Sequence, residues 1–345
     1  MFKDLLNDES IAALRRALKG LNKEQINAAI DQVLKTIVWD DGSFRKLANE
    51  MLKDLTIASS FDPGLVSCLI NFIEDEAPNL DAIITTGDLT TTGLQVDLDK
   101  GLDFLEGTTA HSIANESVTK LLLPGNHDRY CYTATGFLYS PGNTLFDKTF
   151  KNYWKGPVQA YKPLRNPNRL SVIIIGADFS LQSEEHCTLP LLKLSRLAQG
   201  KVYPDILKEL VRVTKQLKDE ERNASFTPVT LWALHFPPFF IHENSGRVAQ
   251  AIYGLTKNLI DEKLLVKRAS EENVHILAGH THEAQDYDTK RPGVRVLCAG
   301  SATQHDAYDK QCQIIEVSWN AIHQPKVTVT EYEQDISWSS FKRKV

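Results

Sequence analysis

The chain has 345 residues, of which 42% are hydrophobic and 24% charged, so it can build the sizeable core of one large α/β domain. Its net charge of −5, without a basic cluster beyond Lys342-Arg343-Lys344, argues against an electrostatic nucleic-acid surface, and no 18-residue apolar run or basic leader predicts a membrane span or a secretory signal. The five cysteines are odd in number and lack CxxC spacing, which favours free thiols in a reducing cytoplasm.

The first 32 residues show the spacing of a helical hairpin. Apolar residues recur every three or four positions, at Ile11, Leu14, Leu18 and Leu21 and then at Ile26, Ile30 and Leu34. Between these two sets, Asn22 followed by Gln25 has the form of a capping box, which marks a helix start. We therefore expect an N-terminal helical extension over residues 1–32, packed on a main domain over residues 33–345. A docking surface for a partner is the alternative interpretation of its apolar stripe.

Four apolar runs in the main domain have the composition of buried strands, and each is followed by polar side chains. The runs cover residues 80–86, 118–124, 229–234 and 274–278. The polar residues that follow them are Asp88, Asn126, His235, His280 and His282. Short β-branched or Leu-rich runs that stop at a turn are typical of strands buried on both faces. Because side chains just past the carboxyl ends of neighbouring strands line one cleft, we expect these five to meet.

An irregular stretch and a helix separate the second run from the third. Residues 128–171 are rich in Tyr, Gly, Pro and Asn and carry the large aromatic residues Tyr132, Tyr139, Phe146, Phe150, Tyr153 and Trp154. Long loops in compact domains are usually functional, and we interpret this one as a wall over the cleft. Arg129 and Tyr130 are interpreted as solvated loop residues, with substrate contact as the alternative. The pattern from Tyr203 to Arg222 predicts a helix.

The five polar residues at the strand ends form a ligand set for transition metals. A carboxylate, a carboxamide oxygen and three imidazoles suit Mn, Fe, Zn, Co or Ni and contain too much nitrogen for a Mg or Ca site. The Asp88 carboxylate has two oxygens and can bridge two cations about 3.5–4 Å apart, the spacing that clamps phosphoryl oxygens during displacement. His127 fits an acid that helps a leaving oxygen depart, and Asp128 fits a carboxylate that orients it.

These motifs resemble those of the calcineurin-like metallophosphoesterases, and in particular the bacterial phosphodiesterase branch. The resemblance runs from about residue 33 to about residue 330. It rests on Gly87-Asp88, Gly125-Asn126-His127-Asp128, His235 and Gly279-His280-Thr281-His282, in the order of the family. It implies an α/β fold in which two mixed β-sheets form a sandwich flanked by helices. It also implies a metal-dependent phosphoesterase, most specifically a phosphodiesterase that hydrolyses a P–O bond by attack of a metal-bound hydroxide at a dinuclear site.

The first motif of the family, Asp-x-His after the first strand, has no faithful copy in this chain. Our alignment takes residues 33–39 as that strand, which places Asp40 at the aspartate position and Gly42 at the histidine position. Asp54 is a rival candidate, but the residues before it have a helical pattern. The resemblance then assigns Asp88, His282 and Asp40 to a first metal, and Asp88, Asn126, His235 and His280 to a second. Because Gly42 replaces the histidine of the family motif, the first set has one imidazole fewer than in the family, and we expect the first metal to bind more weakly.

The expected cofactors are two divalent transition metal ions, with Mn favoured and Fe, Zn, Co or Ni as alternatives. The expected partner is a small phosphoester, and the sequence does not indicate the oligomeric state. The damaged first motif supports an alternative function, that of a metal-poor and inactive relative serving as a binding scaffold. A further hypothesis is a binding module whose N-terminal hairpin recruits a partner. The intact unit Asn126-His127-Asp128 argues for the enzyme, because a scaffold has no use for an acid.

Overall fold

A computed structural model gives the fold of the main domain. It describes residues 63–90, 93–113, 118–129, 144–166, 170–180, 200–222, 226–239, 259–281, 284–289, 293–302, 311–321, 324–334 and 341–344. The predicted extension over residues 1–32 and the candidate ligands Asp40 and His282 lie outside these ranges, as does the rival Asp54. The division into an extension and a main domain therefore stays a prediction.

The described residues form helices and strands in alternation, followed by a group of strands. The helices are α1 (Pro63–Glu76), α2 (Gln95–Glu106), α3 (Leu145–Thr149), α4 (Pro204–Glu221) and α5 (Glu262–Glu271). The strands are β1 (Ala82–Thr85), β2 (Thr119–Leu122), β3 (Val158–Ala160), β4 (Leu164–Arg165), β5 (Ser171–Ala177), β6 (Val229–Leu234), β7 (His275–Ala278), β8 (Gln285–Asp288), β9 (Arg295–Cys298), β10 (Gln311–Trp319), β11 (Pro325–Gln334) and β12 (Phe341–Arg343). Two short 3₁₀ turns cover Ala77–Asn79 and His127–Arg129.

The largest sheet in the described part of the chain is mixed and carries the third and fourth predicted runs. Its strand order is β3-β5-β6-β7-β9-β8, and β4 also pairs with β5. The four strands β5, β6, β7 and β9 are parallel to one another, whereas β3, β4 and β8 are antiparallel to their neighbours. Every residue of β6 is buried, as expected for a central parallel strand covered on both faces. Its carboxyl end therefore lies at the middle of one sheet edge.

One face of this sheet is covered by helices α4 and α5. Alternate residues of the parallel strands point to this face, because side chains alternate along a strand. Ile173 and Trp232 belong to the same buried cluster as Leu210 of α4 and Leu265 of α5. The indole N–H of Trp232 donates to Thr214 Oγ1 at 2.8 Å, so a buried polar pair also joins α4 to β6. These contacts fix the sheet as a rigid support.

The opposite face packs against two smaller sheets. Strands β1 and β2 are parallel, and β10, β11 and β12 form an antiparallel sheet. Ile174 and Leu231 of the large sheet share a buried cluster with Leu121 of β2, and the partly buried Ile315 of β10 packs against it. Residues of α1 and α2 complete this cluster from outside. The prediction of a sheet sandwich flanked by helices is therefore confirmed.

The predicted elements match the structure closely where the apolar pattern was regular. The four runs correspond to β1, β2, β6 and β7, and the predicted helix from Tyr203 to Arg222 is α4. The interpretation of the aromatic stretch as a wall over the cleft is wrong for Phe146 and Phe150, which have no exposed surface and lie in the core between the sheets. Burial of a large aromatic side chain removes much apolar surface from water, so these side chains are most stable in the core.

Two predictions from composition can also be compared with the structure. Among the helices in the described ranges, none combines the length and apolar character needed to cross a bilayer. The cysteines within those ranges, Cys68, Cys298 and Cys312, are free thiols. The cytoplasmic location stays a prediction.

Candidate metal centre

The loops after four strands bring the predicted ligands together at one edge of the sandwich. Asp88 follows β1, Asn126 follows β2, His235 follows β6 and His280 follows β7. The loops after β6 and β7 are tied by a hydrogen bond from the Gly279 amide to the His235 carbonyl at 2.9 Å. Strands β6 and β7 are parallel neighbours, so their carboxyl ends point to the same edge. The convergence predicted from strand ends is therefore present for these four residues.

The His235 ring is the centre of the group. Its Nε2 atom lies 2.8 Å from Asn126 Oδ1, 3.2 Å from Asp88 Oδ2 and 3.2 Å from His280 Nδ1. The ligand atoms of Asp88, His235 and His280 all lie within 4.8 Å of one another. His235 is 3% exposed and Asn126 is 5% exposed, whereas Asp88 and His280 are half-buried, so the group is buried on one side and open on the other.

The hydrogen bonds of His235 determine what can occupy this place. Its Nδ1 lies 2.8 Å from the Thr86 carbonyl oxygen, which is only an acceptor, so Nδ1 carries a proton and donates it. In a neutral ring, Nε2 then carries a lone pair that faces a carboxylate oxygen and an amide oxygen. A proton or a metal ion on Nε2 relieves this repulsion, and the N–H of a His280 ring protonated on Nδ1 relieves it in part. A carbonyl that holds the far ring nitrogen is also the usual support of a metal-bound histidine.

A metal fits the group better than a proton does. One proton on Nε2 forms one strong hydrogen bond, whereas three potential ligand atoms lie within 3.2 Å of this nitrogen. Ligands about 2.1 Å from an ion lie about 3.0 Å apart when they subtend a right angle, which agrees with these spacings. The donor set of carboxylate, amide and imidazole is also one that Mn, Fe, Co, Ni and Zn accept. Asp88, Asn126, His235 and His280 are therefore suited to hold a divalent metal.

The charges of the group are mutually dependent. Burial alone would raise the pKa of Asp88, but the positive charge available on His235 and His127 lowers it below its ordinary value. Burial alone would lower the pKa of His235, but the Asp88 charge and hydrogen bond raise it above its ordinary value. The carboxylate therefore stays ionised and retains a cation beside it. A proton and a metal ion then compete for the same lone pair on His235.

The backbone at the centre is strained and tightly packed. Asp88 and His280 have positive φ angles of 55° and 68°, a left-handed conformation that few non-glycine residues adopt. A Cβ atom at Gly87, where φ is 94°, would lie 2.5 Å from His235 Nδ1. A Cβ atom at Gly125 would lie 2.2 Å from Asp88 Oδ1. Both glycines are therefore required by close contact with ligand side chains.

Asp128 holds the two ligand loops together. One carboxylate oxygen accepts hydrogen bonds from the amide and hydroxyl of Thr90 at 2.9 and 2.8 Å, and the other accepts from the Gly125 amide at 2.9 Å and the Leu89 amide at 3.3 Å. Four bonds occupy the full acceptor capacity of a carboxylate. The predicted orienting bond to the His127 ring is not among the bonds of this carboxylate in the described part of the chain. Burial and the Asp88 charge raise the pKa of Asp128 to about 6, against the effect of these bonds.

Arg129 corrects the interpretation of a solvated loop residue. It is buried, and its guanidinium forms a two-point ion pair with Asp147 at 2.7 and 2.9 Å. The same group donates to Asp178 Oδ2 at 2.7 and 3.0 Å and lies over the Phe146 ring. Asp147 is on α3 and Asp178 follows β5, so the ion pairs join the ligand loop to both elements. Sequence analysis missed these partners because they lie 18 and 49 residues away without a motif of their own.

Solved structures similar to the chain share little sequence with it. A Staphylococcus aureus protein assigned as a 5'-nucleotidase, in complex with alpha-ketoglutarate, is 12% identical over 78% of this chain and 48% of its own, with a TM-score of 0.43. The Mycobacterium tuberculosis phosphopantetheinyl hydrolase PptH is 14% identical over 64% of this chain and 79% of its own, with a TM-score of 0.39. The Thermus thermophilus sulfate thiohydrolase SoxB, in complex with glycerol, is 12% identical over 86% of this chain and 48% of its own, also with a TM-score of 0.39. The chain thus spans about half the length of the first of these proteins.

The comparison with protein families gives a clearer result. The search among curated proteins finds no match to the chain. The family model for calcineurin-like phosphoesterases matches residues 63–284, which is more than half of the chain and contains all four converging ligands. The chain therefore belongs to the calcineurin-like phosphoesterase family.

Proposed function

We propose that the chain is a metal-dependent phosphodiesterase with two divalent metals, Mn favoured. The observation that carries the proposal is the convergence of Asp88, Asn126 and His280 around His235 Nε2. A structural histidine would complete its bonding with one donor or acceptor on each nitrogen. This one faces several ligand atoms instead, in a chain whose family consists of phosphoesterases.

The four converging residues would hold the second metal, and Asp88 would be shared with the first. Asp88 Oδ2 faces His235, while Oδ1 accepts the His127 amide proton at 2.9 Å and keeps a further lone pair. The first metal would take Asp40 and His282 in addition. When bound, the two metals would activate water and neutralise charge on the phosphoryl oxygens.

His127 is the residue of this chain that best suits proton donation to the leaving oxygen. It directly follows Asn126, and its backbone amide is fixed on Asp88 Oδ1, so the ring stands on an anchored turn. Its side chain is only half-buried, which leaves it accessible to a substrate. Asp128 contributes by locking this turn to the loop after β1 through its bonds to Thr90 and Gly125.

The scaffold hypothesis keeps one specific observation in its favour. Gly42 stands where the aligned family motif has a histidine, so the first metal would lose an imidazole ligand. A chain with a weak first metal could bind phosphoesters without hydrolysing them. Metal occupancy and turnover must therefore be measured on the same preparation.

The test combines metal analysis with two chromogenic esters. The purified chain is analysed for Mn, Fe, Co, Ni and Zn, and hydrolysis of bis(p-nitrophenyl) phosphate and p-nitrophenyl phosphate is followed with added Mn and after chelation. We expect metal-dependent hydrolysis, faster for the diester. His235→Ala should lose metal and activity together, whereas His111→Ala, whose ring contacts Ser67 outside the centre, should keep both.

Each contrary outcome has a distinct meaning. Equal rates before and after chelation would refute the metal dependence. Faster hydrolysis of the monoester would refute the diesterase specificity. Tightly bound metal without hydrolysis of either ester would refute the enzyme hypothesis and favour the scaffold hypothesis.

A further inference from the structure

A cleft of about 630 Å³ opens in the described part of the chain, and the metal centre does not account for it. Its lining includes three basic residues, two acidic residues and an indole ring. The lining includes Arg129, Lys151, Trp154, Lys155, Asp178 and Ser180. This volume lies within the range of about 300–1,000 Å³ that small-molecule sites occupy.

The cleft lies beside the metal centre. Asp178 directly follows Ala177, the last residue of β5, and Ala177 pairs with Leu234, the residue before His235. Neighbouring strands are about 4.8 Å apart, so Asp178 stands one strand away from the ligand His235. On the other side, the Arg129 amide donates to the Asn126 carbonyl at 3.1 Å. A molecule with its phosphorus at the centre can therefore extend toward the cleft with a short arm.

Two lining residues carry buried polar atoms that have no hydrogen-bond partner among the described residues. Trp154 is 1% exposed and Ser180 is 7% exposed. Neither the Trp154 indole nitrogen nor the Ser180 hydroxyl has a hydrogen-bond partner in the part of the chain that the structure describes. Buried polar groups are mostly satisfied in native proteins, so these two, of the nine such atoms in the described residues, are donors whose bonding a ligand in the cleft can complete. The serine hydroxyl can turn toward the cleft by rotation about a single torsion.

The charge of the cleft favours an anion. The Arg129 guanidinium is already paired with Asp147 and Asp178. Lys151 and Lys155 are exposed, and neither forms an ion pair within the part of the chain that the structure describes. Three basic and two acidic residues give the lining one excess positive charge. The two lysines are thus the groups available to a bound anion.

We propose that this cleft binds an anionic group, a carboxylate or a second phosphate, carried by the part of the substrate that does not react. The substrate class is then a phosphoester with a second negative charge a few atoms from the scissile phosphorus. This inference depends on the proposed function only for the position of that phosphorus at the metal centre. The lysines supply attraction at the entrance, and the Ser180 hydroxyl and Trp154 N–H supply donors below it.

Calorimetric titration of the metal-loaded full chain tests the proposal with three phosphonates that resist hydrolysis. Ethylphosphonate has no second charge, 3-phosphonopropanoate adds a carboxylate, and ethane-1,2-diphosphonate adds a phosphonate. Each exposed ion pair changes affinity by up to about fivefold, so we expect the charged arms to bind roughly tenfold more tightly than ethylphosphonate. The stronger of the two charged ligands identifies the preferred anion.

Variants locate the effect in the cleft. Lys151→Met combined with Lys155→Met should abolish the preference, so that the charged phosphonates and ethylphosphonate bind with about the same affinity. Lys148→Met is the matched control, because Lys148 is an exposed lysine of α3 outside the lining, and it should keep the full preference. Ser180→Ala should weaken the preference without lowering thermal stability, because the hydroxyl forms no hydrogen bond within the described ranges.

Hydrolysis of bis(p-nitrophenyl) phosphate, measured on the same samples, separates this inference from the proposed function. Hydrolysis without any preference among the phosphonates, or a preference that survives in the double lysine variant, overturns the anion cleft alone. A lysine-dependent preference without hydrolysis overturns the proposed phosphodiesterase activity and supports the anion-binding cleft. No binding of any phosphonate, together with no hydrolysis, overturns both.

Discussion

Replacing Gly125 by alanine should remove metal binding without touching a metal ligand. The new Cβ atom would lie 2.2 Å from Asp88 Oδ1 and 2.4 Å from the Asp88 amide nitrogen. These distances are about 1 Å short of ordinary van der Waals contact. Because one contact is with the backbone, rotation of the Asp88 side chain cannot relieve the overlap, and the two ligand loops must move apart.

The magnitude follows from the tolerance of metal sites. Ligand distances must hold within about 0.2 Å, so a displacement of about 1 Å removes Asp88 from the coordination. Substitutions that act only through a neighbour of a ligand already cost about 10–100-fold in affinity. We therefore expect Gly125→Ala to bind Mn about 100-fold more weakly, equivalent to about 2.7 kcal/mol. Overpacking should add a loss of about 1–3 kcal/mol in the free energy of unfolding of the metal-free chain.

Gly156→Ala provides a matched control. A Cβ atom at Gly156 meets no other atom within 4 Å, so the same chemical change should leave Mn affinity at the unmutated value. Mn titration calorimetry and thermal unfolding without metal measure both variants. An unchanged Mn affinity in Gly125→Ala would refute the reasoning, and so would an equal loss in Gly156→Ala.

Three further predictions concern the roles of individual groups at the centre. His127→Ala should lower turnover by about 10²–10⁴-fold while metal content stays near the unmutated level; loss of metal at an unchanged rate per bound metal would refute the acid role. Mn affinity should rise with pH until His235 is deprotonated, by about tenfold per pH unit, because the Asp88 charge raises the pKa of His235 and the metal must displace that proton; a flat affinity profile from pH 6 to 9 would contradict the competition. The unmutated chain should hold one metal tightly and one weakly, and Asp40→Ala but not Asp54→Ala should abolish activation by added Mn; two equal sites in calorimetry would show that the alignment of Asp40 is wrong.

The elements that sequence analysis predicted well are those whose burial is uniform. Strand β6 is buried at every residue and is apolar throughout apart from Thr230, and the predicted run has the same bounds, 229–234. Helix α4 differs from its prediction by one residue at each end, because its apolar stripe faces one side of the sheet. The candidate site was predictable for the same reason. Polar residues directly after such strands have few places to lie other than the common edge.

The contacts that sequence analysis could not predict are those between distant residues of ordinary type. Asp128 was assigned to His127 because the two are adjacent in sequence, but its carboxylate instead bonds Gly125 and Thr90. Arg129 resembled a loop residue because its partners Asp147 and Asp178 stand in no motif. Local sequence indicates that a carboxylate or guanidinium is present. Only the fold shows which groups it neutralises.

The glycines of the motifs are required for close packing as well as for turn conformation. Gly87 adopts a positive φ, which explains its presence by conformation, but Gly125 does not belong to the positive-φ glycines of the described residues. At Gly125 the volume of a side chain is taken by the Asp88 carboxylate, whose Oδ1 also accepts the His127 amide proton. A glycine before Asn126 is therefore a packing requirement of a ligand on another loop. Two short motifs, on strands that pair in parallel, therefore meet where Gly125 leaves room for the Asp88 carboxylate.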